Sequence, residues 1–332
     1  MQLIVSEFGD PNKVLTEREF ELPYELGRDQ IRLRWLAATI NPSDLAMIRG
    51  VYPSNQKPPF VAGREGVAVV EEVGRSVSGI AAGDWVIPFL AGLGTWQTAQ
   101  VVDTVDVLKI DKQLPIETAV QMTINPPTAY YLLHDFVQLN EGDIVLQNAA
   151  NSAVGRYVIQ VARLFRWRTA NVIRARANEQ QTAALTAELR ALGADLVMTD
   201  VQLRASAPQM LRVLGGAPRL ALDCVGGASA SEIAACLQPA GRLVNYGAMS
   251  NKPLNIAQKE LIFKGIEVHG MWYSGRTKAQ RHTREELEKT THWLSSRFMN
   301  KQLHAAPCQL RPWSQWSDAL RQTAEGTAAH KQ

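Results

Sequence analysis

With 332 residues, 46% of them hydrophobic and 20% charged, the chain can bury two sizeable cores and has the balance of a globular protein in water. Its 35 basic and 32 acidic residues leave a formal charge of +3, dispersed along the chain, which gives little support to nucleic-acid or membrane-surface binding. Three widely spaced cysteines, Cys224, Cys236 and Cys308, with no C-x-x-C pair, point away from a disulfide framework and from a cysteine zinc site. The opening MQLIVSEFGD lacks a charged lead and apolar run, and no run of about eighteen apolar residues occurs. Neither export nor a membrane span is expected, and the expected location is the cytoplasm.

Over roughly the first 120 residues, short apolar runs are broken by glycine and proline: LIVSEF, IRLRWLAATI, GVAVVEEVG, DWVIPFL and TWQTAQVV. This texture predicts a β-rich domain with connecting turns. From Asp143 strands and helices alternate: strand DIVLQ, a helix from Val154, strand TANVIR, helix EQQTAALTAELRAL, strand DLVMT, then RLALDCVGG, GRLVNYGAM and IEVHGMW. Such repetition predicts a doubly wound parallel sheet, IEVHGMW being its last strand, with His269 a structural histidine. RTKAQRHTREELEKTTHWLSSRF reads as a charged helix, and WSQWSDALRQTAEG as an amphipathic one, in a tail expected to pack on the β-rich domain. The expected fold is therefore α/β in two domains, 1–122 and 123–273, with a return segment, 274–332.

DIVLQNAANSAVGRYVIQVARLF is a strand entering a helix, which is how a dinucleotide-binding unit begins, yet its turn holds one glycine, Gly155. Val154, Val158, Val161, Ala162 and Phe165 share one helical face, with Arg156, Gln160, Arg163 and Arg166 opposite. The free N–H groups and positive dipole end of such a helix form an anion site without further glycines. Ala149, Ser152 and Gly155 stand at A-x-x-G-x-x-G spacing, and Asn151 and Ser152 add side-chain donors. The loop is compatible with pyrophosphate, although strand-turn-helix junctions of this composition also occur without a ligand. At the end of the next strand, where NAD-specific proteins place a carboxylate, stand Arg174 and Arg176, and no acid precedes Glu179. The pair suits a 2′-phosphate and favours NADPH, or else is simply solvated.

These residues, with NPSDLAMIRGVYP, GDWVIPFLAGLGTWQT, INPPTAY, LALDCVGG, NYGAM and LIFKGIEVHGMW, resemble the zinc-free medium-chain dehydrogenase/reductases, and within them the 2-enoyl thioester reductases of mitochondrial-type fatty acid synthesis. The likeness covers nearly the whole chain and implies a GroES-like catalytic domain followed by a Rossmann domain. Zinc relatives carry a cysteine before the aspartate of the NPSD segment and a histidine before the glutamate of the GREG segment. Ser43 and Arg64 stand there, so no metal is expected.

By the same resemblance, Tyr52 is the proton donor in an NADPH-dependent reduction of the Cα=Cβ bond of trans-2-enoyl thioesters. The hydride goes to Cβ and a proton to Cα. The cofactor residues it implies are Asn41, Asn125, Thr128, Asn151, Ser152, Ala153, Val154, Gly155, Arg174 and Arg176. They continue with Tyr246, Gly247, Ala248, Met249, Met271, Trp272, Tyr273, Ser274 and, near the end, Lys331. Trp96, Phe263 and Trp272 are expected to line the acyl pocket. Departures from relatives are Arg64, where a neutral residue is usual, and Ala153 and Ala248, where glycine is common. The partners implied are an acyl-CoA or acyl-carrier-protein substrate and a second copy of the chain. A quinone or enone reductase, and an NADPH-binding protein without turnover, are the alternative readings.

Overall fold

The computed structural model describes residues 1–278 and 282–326. They fall into two compact units, Met1–Pro127 with Thr277–Gln332, and Thr128–Arg276. The first carries strands β1 (Gln2–Val5), β2 (Leu15–Arg18), β3 (Gln30–Ala38), β4 (Phe60–Val61), β5 (Gly66–Val73), β6 (Trp85–Pro88), β7 (Ala99–Asp103) and β8 (Val107–Ile110). They form antiparallel sheets in the orders β7-β3-β5-β6-β8 and β2-β1-β4. Period-two alternation explains the larger one: Ile31, Leu33 and Trp35 of β3 point inward against Ala68, Val70 and Val86.

The β texture conceals a helix. After α1 (Pro11–Val14), α2 (Pro42–Ile48) occupies NPSDLAMI. Asn41 sits in extended conformation at its N-cap, Pro42 opens its first turn, and the Asp44 carboxylate accepts from the Asn41 N–H at 2.6 Å. Short α3 (Ile116–Ala119) and α4 (Asn125–His134) follow. Pro126 and Pro127 occupy the first turn of α4, where a missing N–H costs nothing.

In the second unit β9 (Ile144–Gln147), β10 (Arg168–Ile173), β11 (Leu196–Thr199), β12 (Leu220–Asp223), β13 (Arg242–Asn245) and β14 (Glu267–Gly270) form one parallel sheet ordered β11-β10-β9-β12-β13-β14. The order reverses between β9 and β12, the switch point at which such sheets bind ligands beyond their C-terminal ends. Every residue of β9 and β12 is buried, as strands covered on both faces must be. Helices α5 (Ala153–Leu164), α6 (Glu179–Ala191), α7 (Asp200–Leu214), α8 (Gly227–Ala235), α9 (Gln258–Ile262) and α10 (Tyr273–Lys278) alternate with or follow these strands.

Two sequence readings change here. The polar face assigned to α5 is partly interior: Arg156 and Gln160 are buried, Arg156 pairing with Glu188 of α6 at 2.7 Å. His269 lies on the open edge strand β14, half-exposed, 3.0 Å from Glu267.

The charged stretch after Trp272 is not one helix. Thr283 caps a new one, α11 (Arg284–Met299), in a capping box with Glu286. Arg284 donates to the Val105 and Val107 carbonyls, both at 2.7 Å. In α12 (Trp316–Glu325), Leu320 joins the cluster of Leu3, Val5, Leu45 and Ile48, and the Trp313 and Trp316 indoles donate to Glu17.

Candidate active site

The loop between β9 and α5 shows how its missing glycines are replaced. Ala149 takes the left-handed φ of +47° that a first glycine would adopt freely. Ser152 caps α5, its Oγ accepting from the Gly155 N–H at 3.1 Å. Gly155 cannot be replaced in the same way, because a Cβ there would stand 2.6 Å from the Ala150 carbonyl oxygen. The N–H groups of Ala153 and Val154 face the open end of the helix, beyond reach of any intrahelical acceptor. Asn151 contributes its carbonyl to Arg156 Nε at 3.1 Å.

Beside this turn the end of the Tyr246 side chain is buried. Its hydroxyl has no partner at hydrogen-bonding geometry, although Ser152 and the Cys224 thiol lie next to it. Burial pushes the Tyr246 hydroxyl well above the ordinary tyrosine range and the Cys224 thiol to about 11, so both stay protonated at neutral pH. Arg174 and Arg176 are exposed at the end of β10, and among the described residues neither has an acidic ion-pair partner. An acid does approach that loop: Asp200 accepts from the Ala175 N–H at 3.0 Å while lying 3.6 Å from Arg204. Open helix N–H groups, a buried unpartnered hydroxyl and two uncommitted cations fit an anionic dinucleotide with a third phosphate.

Three residues that sequence reasoning did not single out hold this end of the sheet together. The buried Asp223 carboxylate accepts from Asn148 Nδ2 at 2.6 Å, Asn245 Nδ2 at 2.7 Å, and the Val225 and Gly226 N–H groups at 3.0 Å. Asn148 Oδ1 accepts from the Cys224 N–H at 2.8 Å, and Asn245 also donates to the Gly247 carbonyl at 2.8 Å. One carboxylate thus ties the ends of β9, β12 and β13 to the loops carrying Cys224 and Tyr246. An acid closing an apolar strand immediately before a turn was the available signal.

In the first unit Tyr52 lies half-buried on the loop after α2, where the Val51 and Tyr52 N–H groups both donate to the Ala46 carbonyl. The buried Arg64 guanidinium stands 4.3 Å above the Tyr52 ring centroid. Glu65, fully buried, was also missed. It accepts from Thr39 Oγ1 at 2.9 Å, Asn41 Nδ2 at 3.0 Å and the Ile124 N–H at 2.8 Å. Asn41 therefore spends its amide hydrogens on Thr39 and Glu65, and its oxygen meets Asn125 Nδ2 at 3.4 Å. It braces Asn125 and has no amide hydrogen left for a cofactor.

The other expected residues divide by exposure. Thr128, Met271 and Ser274 are buried, Tyr273 stacks on Tyr131 at 5.9 Å, and Ala248, Met249 and Trp272 are exposed. Lys331 lies outside the described residues. Two pocket assignments are corrected. Trp96 is a core residue of the first unit, its indole donating to the Thr39 carbonyl at 3.0 Å. Phe263 lies on an open surface, 83% exposed, because it follows the last turn of the short α9.

Residues 27–112 match the family described as Alcohol dehydrogenase GroES-like domain, and 153–295 that described as Zinc-binding dehydrogenase. Over 330 residues the chain is 40% identical to the mitochondrial enoyl-[acyl-carrier-protein] reductase of Mus musculus, covering 99% of this chain and 87% of that protein. This chain belongs to the enoyl thioester reductase family of the medium-chain dehydrogenase/reductases. The mitochondrial 2-enoyl thioester reductase Etr1p/Etr2p heterodimer from Candida tropicalis superposes with a TM-score of 0.90 at 30% identity, covering 100% of this chain and 98% of that one. A complex of Etr1p with NADP and crotonyl-CoA superposes with a TM-score of 0.89 at 30% identity, covering 98% and 97%.

The reductase family here is the zinc-free branch expected from the sequence. At the positions where zinc relatives carry their cysteine and histidine ligands stand Ser43 and the buried Arg64, a poor ligand and a cation that cannot ligate. The cytoplasmic location expected above is overturned, since the mouse relative and the Candida neighbour are both named mitochondrial. Few cysteines and a missing apolar lead do not separate one compartment from another, because a targeting address is read by a receptor and not by the packed fold.

Proposed function

We infer that this chain reduces the Cα=Cβ double bond of trans-2-enoyl thioesters with NADPH. The observation that carries the reading is full-length kinship to enoyl reductases, one of them caught with NADP and crotonyl-CoA, on a chain whose own loop fits that dinucleotide. Bound NADPH supplies the hydride that arrives at Cβ. Ala153 and Val154 N–H groups and Ser152 hold the pyrophosphate, and Arg174 and Arg176 grip the 2′-phosphate. Asn125 and Thr128 orient the nicotinamide end, with Asn41 and Glu65 bracing Asn125. As the bond is reduced, charge builds on the thioester oxygen and Cα, and the Tyr52 hydroxyl delivers the proton to Cα.

The carrier is proposed to be an acyl carrier protein, in line with the mouse relative's name, with the CoA thioester a substrate in the test tube. The assembly is proposed to be a dimer of identical chains. Among the described residues strand β14 is an unpaired sheet edge, and Ile262, Phe263, Val268 and Trp272, near it in sequence, are exposed apolar residues. NADPH oxidation followed with crotonyl-CoA and with phenanthrenequinone in parallel tests the function. Turnover of the thioester is expected, and turnover of the quinone alone would replace this reading with a quinone reductase.

A further inference from the structure

We propose that Arg64 is a positioning residue for the reduction, acting through Tyr52 as a cationic clamp on the face of its ring. The proposal rests on Tyr52 being the proton donor.

Arg64 is 4% exposed, and its guanidinium carbon lies 4.3 Å from the Tyr52 ring centroid, within cation–π range. Arg64 follows Gly63, whose φ is +95° and where a Cβ would stand 2.4 Å from Trp96 Cδ1 and 2.6 Å from the Trp96 nitrogen. It precedes Glu65, which three donors fix in the core, and its own carbonyl accepts from the Gly92 N–H at 3.3 Å. The Tyr52 loop is tied to α2 by two N–H groups sharing the Ala46 carbonyl, and the Ser54 N–H closes back on the Tyr52 carbonyl at 2.8 Å. A planar cation seated by its backbone against the face of the Tyr52 ring sets the plane of that ring, and hence the line along which its hydroxyl points.

The charge acts as well as the shape. When a hydride adds at Cβ with its electron pair, the double-bond pair moves onto Cα and the thioester carbonyl. The Tyr52 O–H bond then breaks, its proton goes to Cα, and its electron pair stays on the phenolate, which regains a proton from water. A cation held on the ring face stands where it can stabilise the negative charge that appears on Tyr52 in that step.

A double-mutant cycle on the NADPH-loaded enzyme with crotonyl-CoA separates this role from structural support. Arg64→Met is expected to lower kcat roughly tenfold, the order of a desolvated cation–π contact, with KM and NADPH affinity within about twofold. In the Tyr52→Phe background the same substitution should cost less than about twofold, and Arg64→Lys should restore part of the loss. An Arg64→Met loss that persists in full in the Tyr52→Phe background overturns the clamp while leaving Tyr52 as donor. Tyr52→Phe turnover close to wild type overturns the donor reading and the clamp with it. With 13C-labelled tyrosine in the unliganded protein, the Tyr52 ring resonance, identified by its loss in Tyr52→Phe, should move in Arg64→Met. An unmoved resonance would overturn the proposal. If Arg64→Met does not fold, Arg64→Gln carries the same cycle and spectra.

Discussion

As the proposed proton donor, Tyr52 would separate thioester reduction from generic hydride transfer, and its hydroxyl can be removed while the ring is kept. Tyr52→Phe is expected to lower crotonyl-CoA turnover about a hundred- to a thousandfold, the range of positioned acids and oxyanion donors, while NADPH binding survives. Fluorescence titration of NADPH beside steady-state turnover checks both halves, and turnover within about threefold of wild type would remove Tyr52 from the mechanism. The cofactor 2′-phosphate is proposed to have its own pair of side chains. Arg174→Ala and Arg176→Ala should each weaken NADPH about ten- to a hundredfold and leave NADH nearly unchanged. Equal losses for the two cofactors in the double variant would make both arginines structural.

At the scale of elements, the β9–α5 junction converts three fingerprint glycines into one strained alanine, one capping serine and one glycine with no room for a side chain. Gly155→Ala must displace the Ala150 carbonyl, an overpacking cost of about 1–3 kcal/mol. Urea denaturation should show that cost, accompanied by weaker NADPH binding. Helix α4 carries a pH response. His134, at its end, has Nδ1 2.7 Å from the Tyr130 carbonyl and its ring stacked 4.0 Å from Tyr130, and burial lowers its pKa below the ordinary 6.5. The unfolded chain then binds the proton more readily, so this contribution to stability is complete above the unfolded value. It is lost as pH falls through 6.5 toward the lower folded value. Urea midpoints for wild type and His134→Gln should therefore converge as pH falls from about 7.5 to 5. A constant gap between them would exclude His134 as the titrating group.

At the scale of the whole molecule, the apolar residues around β14 make the assembly state testable. Wild type should sediment as a dimer at micromolar concentration, and replacing Phe263 and Val268 by serine and aspartate should shift it toward monomer. At 83% and 39% exposure these positions add little to the fold of one chain, so the variant should keep its far-ultraviolet circular dichroism. A wild type that sediments as a clean monomer would sink the dimer.

By itself the sequence determined the local grammar. Period-two apolar runs, capping residues and the alternation of strand and helix after Asp143 specify their elements from neighbours a few positions away, and spaced motifs carried the family. The α2 helix was hidden because its signal is a cap and a proline within a β-rich texture, and seven residues are too few to show periodicity. Tertiary structure alone decided what depends on distant partners. Asp223 gathers amides from Asn148, 75 residues earlier, and Asn245, 22 later, while Glu65 bonds Ile124, 59 later. Arg64 reads as an odd charge beside a glycine until folding lays it on Tyr52. Buried polar groups must be satisfied wherever the chain brings a partner, and no pattern along the sequence records which partner that will be.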